Sequence, residues 1–308
     1  MVLEGAVERP VPATVFVNPT AGRGDAGRKI AQVRQEFARR HFLVDVVETA
    51  SVQEFRASVR AQIASGCRTF IAMGGDGTLR LLVREVIGRE LKVGVIPAGG
   101  GNDFAAALGI QKNVSQAVDV IVAGKSRSVD VVRVRTASGP EELYLGGGGL
   151  GLDAEAVRFA SGKFLRWPGR LRYVASAIAA LRGFSGVEID ADFPGSDLPR
   201  LKRRLLLASA LNTPTYGGGL RLAPDALLDD GLLEIVMIEM LNKGEVLTLL
   251  PRLLSTGELR TEKVTRVRAG KVRFMTQSES WFHGDGELLG QAPVEIEVMR
   301  SALKVLAP

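Results

Sequence analysis

The chain reads as an α/β domain built on a parallel sheet, followed by a mostly antiparallel, β-rich domain. Three observations lead to that reading. In the first third, short runs of strand-forming residues alternate with helix-spaced segments, the pattern of strand–helix–strand units with right-handed crossovers. Three of those runs end in glycine-bearing loops, at residues 18–24, 74–78 and 97–103. Beyond about residue 128, strand-like runs follow one another with few helices between them.

Taken in order, Thr14 to Val17 is a run of strand formers stopped by Asn18-Pro19, a turn signal. Residues 26–40 have helical spacing, with Ile30, Val33 and Phe37 on one face and Arg28, Lys29, Arg34, Arg39 and Arg40 elsewhere. Leu43 to Val47 reads as a strand and Val52 to Ala64 as a helix. Thr69 to Met73 is the third strand, Leu79 to Ile87 the third helix, and Lys92 to Ile96 the fourth strand. The later strands are expected at Val129–Arg135, Glu142–Leu145, Val187–Asp192, Leu205–Leu211, Leu232–Ile238, Lys271–Met275 and Val294–Val298, with helices around 153–182 and 243–255. The domains are placed at 1–128 and 129–298, with residues 299–308 returning to pack on the first.

Composition narrows the function classes. The chain has 308 residues, 46% of them hydrophobic, which is ample to bury a core. A single cysteine, Cys67, excludes an intramolecular disulfide framework, and two histidines, His41 and His283, leave little for a histidine-rich metal centre. The 40 basic and 34 acidic residues leave a mild excess of +6, which suits an anionic substrate or membrane surface without requiring nucleic acid. No basic segment followed by an apolar run opens the chain, and no stretch is long and apolar enough to span a bilayer. A cytoplasmic protein, transiently at the inner face of the membrane, is the expectation.

The loops carry the chemistry. In such sheets ligands bind beyond the carboxyl ends of the strands. Asn18-Pro19-Thr20-Ala21-Gly22-Arg23-Gly24 lets backbone N–H groups approach phosphate oxygens at a helix start, though a plain turn explains it equally well. Gly74-Gly75-Asp76-Gly77-Thr78 is more specific. Three glycines around one aspartate cost backbone entropy that an ordinary turn does not need. Asp76 can hold a magnesium ion or its water, or accept a proton, and Thr78 can cap a helix or meet a phosphate. Pro97-Ala98-Gly99-Gly100-Gly101-Asn102-Asp103-Phe104 repeats the device, with Asn102 and Asp103 also suited to helix capping. A ligand with several phosphates would use all three loops.

These strings, followed by Leu222–Ile235 and by Phe282-His283-Gly284-Asp285-Gly286-Glu287, resemble the diacylglycerol kinase catalytic-domain family, in its bacterial lipid kinase branch. The resemblance covers about residues 12–298. It implies an ATP- and magnesium-dependent kinase acting on a lipid hydroxyl, with the site between a nucleotide-binding domain and a β-sandwich-like domain. It further implies nucleotide contacts from Asn18, Pro19, Gly22, Thr49, Gly75, Asp76, Gly77, Thr78, Gly100, Asn102 and Asp103. A structural magnesium would be held by Asp230 with the carbonyls of Leu227 and Leu232, where an Asp-Asp-Gly turn is the plainer reading. Glu287 would accept the hydroxyl proton, with Asp285 beside it and Asp76 as the competing base.

Two positions depart from the family pattern. Gly100 stands where a threonine is common, and Arg80-Leu81 where Asn-Glu is common; Arg80 either reaches a phosphate or is a solvated helix residue. Residues 158–173 interleave basic and aromatic side chains, which suits an anionic bilayer or, equally, an ordinary solvated face. A NAD kinase and a non-catalytic nucleotide- or lipid-binding regulator are the alternatives.

Overall fold

The computed structural model describes residues 13–137, 139–161, 169–256 and 261–308. The first strand, β1 (Ala13–Val17), is wholly buried and leads into α1 (Ala21–Arg28) and α2 (Ile30–Arg39). Then come β2 (Asp45–Glu48), α3 (Val52–Ala64), β3 (Thr69–Gly74), α4 (Asp76–Val86), β4 (Lys92–Pro97), α5 (Asp103–Ala107) and α6 (Val114–Ala123). The strands lie parallel in the order β2-β1-β3-β4. Two boundaries differ from expectation. The 26–40 helix is divided between α1 and α2, and α1 itself carries a left-handed kink at Gly22, Arg23 and Gly24. The third helix begins at Asp76 rather than Leu79, because Gly77 and Thr78 form its first turn instead of a loop. That shift puts Asp76 on a helix N-terminus, where the backbone favours an anion.

The rest of the chain forms β5 (Ser126–Thr136), β6 (Glu142–Tyr144), β7 (Gly147–Gly151), α7 (Leu152–Ser161), α8 (Gly169–Leu181), β8 (Val187–Asp192), β9 (Leu201–Leu211), β10 (Leu233–Glu239), α9 (Lys243–Ser255), β11 (Val264–Ala269), β12 (Lys271–Thr276), β13 (Trp281–Gly284), β14 (Glu287–Gln291) and β15 (Val294–Leu306). These strands pair with one another antiparallel, and β9 lies between β7, β8 and β10.

The last strand ties the two regions together. Val294–Met299 pair with β5, and Val294–Glu297 also with β12. After a left-handed residue, Ser301, the strand continues beside β5 and lies parallel to β4, with Lys304 opposite Lys92. Leu303, Val305 and Leu306 are buried in the same core as Val93, Ile96 and Phe104. The bend is fixed by Asp130, fully buried, whose carboxylate accepts from the Ser301 and Gly231 N–H groups at 2.7 Å each. Truncating such an anchor would leave buried donors without partners.

Of the basic–aromatic stretch 158–173, residues 162–168 lie outside the described residues, as do the side chains of 170–173. Arg158 pairs with Glu155 at 2.7 Å. Among the described residues no helix is long and apolar enough to cross a membrane.

Candidate active site

The three glycine loops meet at the carboxyl ends of β1, β3 and β4. A Cβ at Gly22 would lie 2.1 Å from the Ala98 carbonyl oxygen, so only glycine, here at a positive φ, lets the first and third loops touch. Asn18 folds the first loop on itself, its side-chain oxygen accepting from the Thr20 N–H at 3.1 Å and the Thr20 hydroxyl at 2.7 Å. Asn18, Gly22, Gly75, Asp76, Gly77, Thr78, Gly100 and Asp103 all line one cavity of about 710 Å³.

Asp76 joins the second loop to the third. Its carboxylate accepts from the N–H groups of Asn102 (2.8 Å), Asp103 (3.3 Å) and Phe104 (3.3 Å), capping α5 from outside that helix. Asp103 is held by the Thr215 hydroxyl (2.9 Å) and the Gly218 N–H (2.7 Å). Asp285 accepts from the N–H groups of Leu145, Gly146 and Gly147. It sits at a positive φ with Gly286 in the two-residue turn between β13 and β14, the Asp-Gly hairpin that this pair favours. The turn thus delivers Asp285 inward and starts β14 at Glu287.

These carboxylates form a buried negative cluster. Burial first, then the charges of Asp285 and Asp103, push the Asp76 carboxyl up to about 7. Burial also raises Asp285, against its backbone donors and the Arg80 guanidinium. A hard divalent cation would relieve that repulsion and suits an all-oxygen donor set. Among the described residues no three His, Cys, Asp or Glu side chains can hold a metal alone. Asp76 Oδ1 has one backbone donor, at 3.3 Å, and faces the cavity, which suits the mode in which magnesium takes one or two carboxylates and completes its shell from substrate phosphates and water.

Four expected contacts take other roles. The Thr49 hydroxyl donates to the Val17 carbonyl at 3.3 Å and does not reach the cavity lining. Pro19 accepts the Gly27 N–H, fixing the helix start, and Asn102 spends its side chain on both backbone groups of Gly99. The Leu227–Leu232 segment does not fit a magnesium site. The Asp230 carboxylate is ion-paired with Arg268, which also holds Glu234 at 2.8 Å, and it accepts the Leu232 N–H at 3.0 Å. A guanidinium stands where the cation's positive charge would be. Nor is Arg80 a solvated residue: its side chain is 5% exposed and pairs with Glu287 and Glu142.

Beyond the phosphate loops the same cavity becomes apolar. Leu152, Ala156, Ala177, Leu206, Ile238 and Leu249, from α7, α8, β9, β10 and α9, are among its walls. At the junction lies a polar cluster that the sequence did not reveal. Asp153, 6% exposed, faces His283 Nε2 at 3.3 Å, accepts the Ser209 hydroxyl at 2.8 Å and meets the Tyr216 hydroxyl at 3.5 Å, while Tyr216 stacks on His283. A Cβ at Gly149 would lie 2.2 Å from the Asp153 carboxylate, so the glycine run of β7 makes room for the cluster.

An α/β domain with three glycine loops and a β domain share one cavity, polar at one end and apolar at the other, an arrangement that suits a phosphotransferase with a greasy acceptor. Comparison with known proteins agrees. Residues 12–134 match the diacylglycerol kinase catalytic domain, and residues 146–307 match the YegS C-terminal NAD kinase beta sandwich-like domain. The chain is 30% identical to a diacylglycerol kinase of Mycobacterium tuberculosis over 96% of its own length and 94% of that protein's. It is 25% identical to a diacylglycerol kinase of Bacillus subtilis, covering 96% of each. A diacylglycerol kinase crystal structure from Bacillus anthracis superimposes with a TM-score of 0.73 over 97% of both chains, at 18% identity, a likeness of fold. The chain therefore belongs to the diacylglycerol kinase family, and it is a lipid kinase.

Proposed function

We propose that the chain transfers the γ-phosphoryl group of ATP, with magnesium, to the hydroxyl of a lipid carrying apolar chains, diacylglycerol foremost. The observation that supports this most is the continuous cavity: phosphate loops at one end, aliphatic walls at the other, and Glu287 among its lining residues. The triphosphate lies along the three loops, its oxygens meeting backbone N–H groups at the starts of α1 and α4, while the start of α5 is already capped by Asp76. Asp76 would hold the magnesium ion, which would supply charge neutralisation for the transferring group. Glu287, half exposed to the cavity, accepts the proton as the lipid oxygen attacks the γ-phosphorus and the bond to the β-phosphate oxygen breaks, releasing ADP. Asp285, buried and fully engaged by backbone donors, shapes the turn instead of taking the proton.

The test is transfer of γ-labelled phosphate from ATP and magnesium into a panel of mixed-micelle lipids, with NAD and no acceptor alongside. Label in diacylglycerol is expected. Label confined to ceramide or a sphingoid base would move the substrate within the class, and label in NAD alone would overturn the reading.

The lipid enters from a bilayer. Ile178 and Val52, each 46% exposed, line the cavity and present apolar surface to the outside. Flotation with anionic liposomes is expected to carry the chain up, and to lose it when Lys163, Arg166, Arg170 and Arg172 are reversed in charge.

A further inference from the structure

The structure assigns a role to Arg80, the residue that departs from its family's pattern: we propose that it is a positioning residue that aims Glu287 at the phosphate loop. The inference rests on the reading of Glu287 as the proton acceptor and deepens it.

Arg80 sits one turn into α4, four residues after Asp76, behind Glu287 and outside the residues that line the cavity. One guanidinium nitrogen, Nη2, donates to Glu287 Oε2; the other, Nη1, lies 3.5 Å from Glu142 Oε2. Glu142, on β6 of the second domain, is in turn held by Arg84, one turn further along α4. Two cations and two carboxylates thus form a neutral bracket across the two domains, with Arg80 its most buried member at 5% exposure. An arginine fork fixes a carboxylate in orientation as well as charge.

The bracket takes one oxygen of Glu287 and leaves the other. Oε1 lies 2.9 Å from the point where a Cβ would stand on Gly77, so it faces the middle of the second phosphate loop. A glutamate opening β14 has three rotatable bonds and, 52% exposed, would otherwise sample many orientations. A base must reach its proton within hydrogen-bond distance, and a displacement of about 1 Å costs about 100-fold in rate. The alternative role, direct phosphate binding by Arg80, conflicts with its absence from the cavity lining and with the carboxylate partners of both terminal nitrogens.

The experiment compares Arg80→Met, Arg80→Lys, Glu287→Ala and the Arg80→Met/Glu287→Ala double variant, measuring kcat and both KM values with γ-labelled ATP, and Mg-ATP affinity by calorimetry. Arg80→Met is expected to lower kcat about 100-fold with Mg-ATP affinity within about twofold of wild type. Arg80→Lys, which keeps the charge but loses the fork, should recover about tenfold of that loss. In the Glu287→Ala background, Arg80→Met should change kcat by less than about threefold, because the group it aims is gone. Should Arg80→Met not fold, Arg80→Lys carries the test, with kcat about tenfold down at unchanged Mg-ATP affinity.

Glu287→Ala at wild-type turnover would overturn the base assignment and this proposal with it. A slow Glu287→Ala beside an Arg80→Met of normal kcat would overturn the proposal alone. Mg-ATP affinity weakened about tenfold in both Arg80 variants would make Arg80 a phosphate ligand and overturn it too.

Discussion

The two ends of the cavity are built by opposite means. At the phosphate end the working groups are backbone N–H donors and a few carboxylates, of which Asp76, Asp103 and Asp285 are each pinned by two or three hydrogen bonds from neighbouring loops. At the lipid end the walls are aliphatic side chains from five separate elements, with no fixed partner among them. The first end gains its specificity from geometry that tolerates little change. The second gains it from shape and volume, which tolerate substitution so long as space is kept. Changes at the two ends should therefore differ in kind: loss of turnover at one, graded loss of acceptor affinity at the other.

The largest expected effect is at the phosphate end. Glu287→Ala should lower kcat by about 100- to 10,000-fold, the range for removal of a general base, with KM for ATP nearly unchanged. Steady-state transfer of label measures both. An equal rise in the KM for ATP would show that Glu287 binds nucleotide instead.

The buried acid cluster makes a second contrast, in stability. The folded protein holds the Asp76 proton up to about pH 7, whereas an unfolded aspartate releases it near 3.8. Between those values the folded state binds more protons than the unfolded one, so this group's contribution to stability falls as pH rises through the window and is flat above it. The stability of wild type relative to Asp76→Asn, from urea midpoints, should decline by roughly 4 kcal/mol at most between pH 4 and pH 8. A difference that stays constant with pH would place Asp76 in a less hostile setting than its burial implies.

Asp230 should matter least. Its carboxylate is partly exposed and paired with Arg268, so Asp230→Asn is expected to cost at most about 1 kcal/mol, and chelation of magnesium should leave the melting temperature unchanged. Marked destabilisation by chelator in the absence of nucleotide would restore a structural metal at this segment.

The same contrast explains what the sequence revealed. The phosphate end was legible because backbone recognition forces residue types into short strings: glycine where loops touch at Gly22 and Ala98, aspartate where a helix start needs an outside cap, Asp-Gly where a hairpin must turn. The apolar end was not, because Leu152, Ala177 and Leu249 look like any core residues until the fold sets them around a void. Long-range polar pairs were hidden for another reason. Arg80 and Glu287 are 207 positions apart, and Asp153 and Ser209 are 56 apart, with no local spacing to announce either pair. The glycine run of β7 was visible as a run, yet its purpose emerges only when Asp153 is seen filling the space above Gly149. Thr49 and Asp230 show the converse, since a matching residue type in a matching place is bound here to a carbonyl and to a guanidinium.

The central claim is that one cavity receives phosphate at one end and lipid chains at the other, and Ala177→Trp tests it most directly. Ala177 lies on α8 in the apolar wall, away from the phosphate loops. An indole there should fill the chamber and raise the KM for the lipid about tenfold, while KM for ATP and Mg-ATP affinity stay within about twofold. Unchanged lipid kinetics with a folded protein, or a loss confined to ATP, would contradict the account.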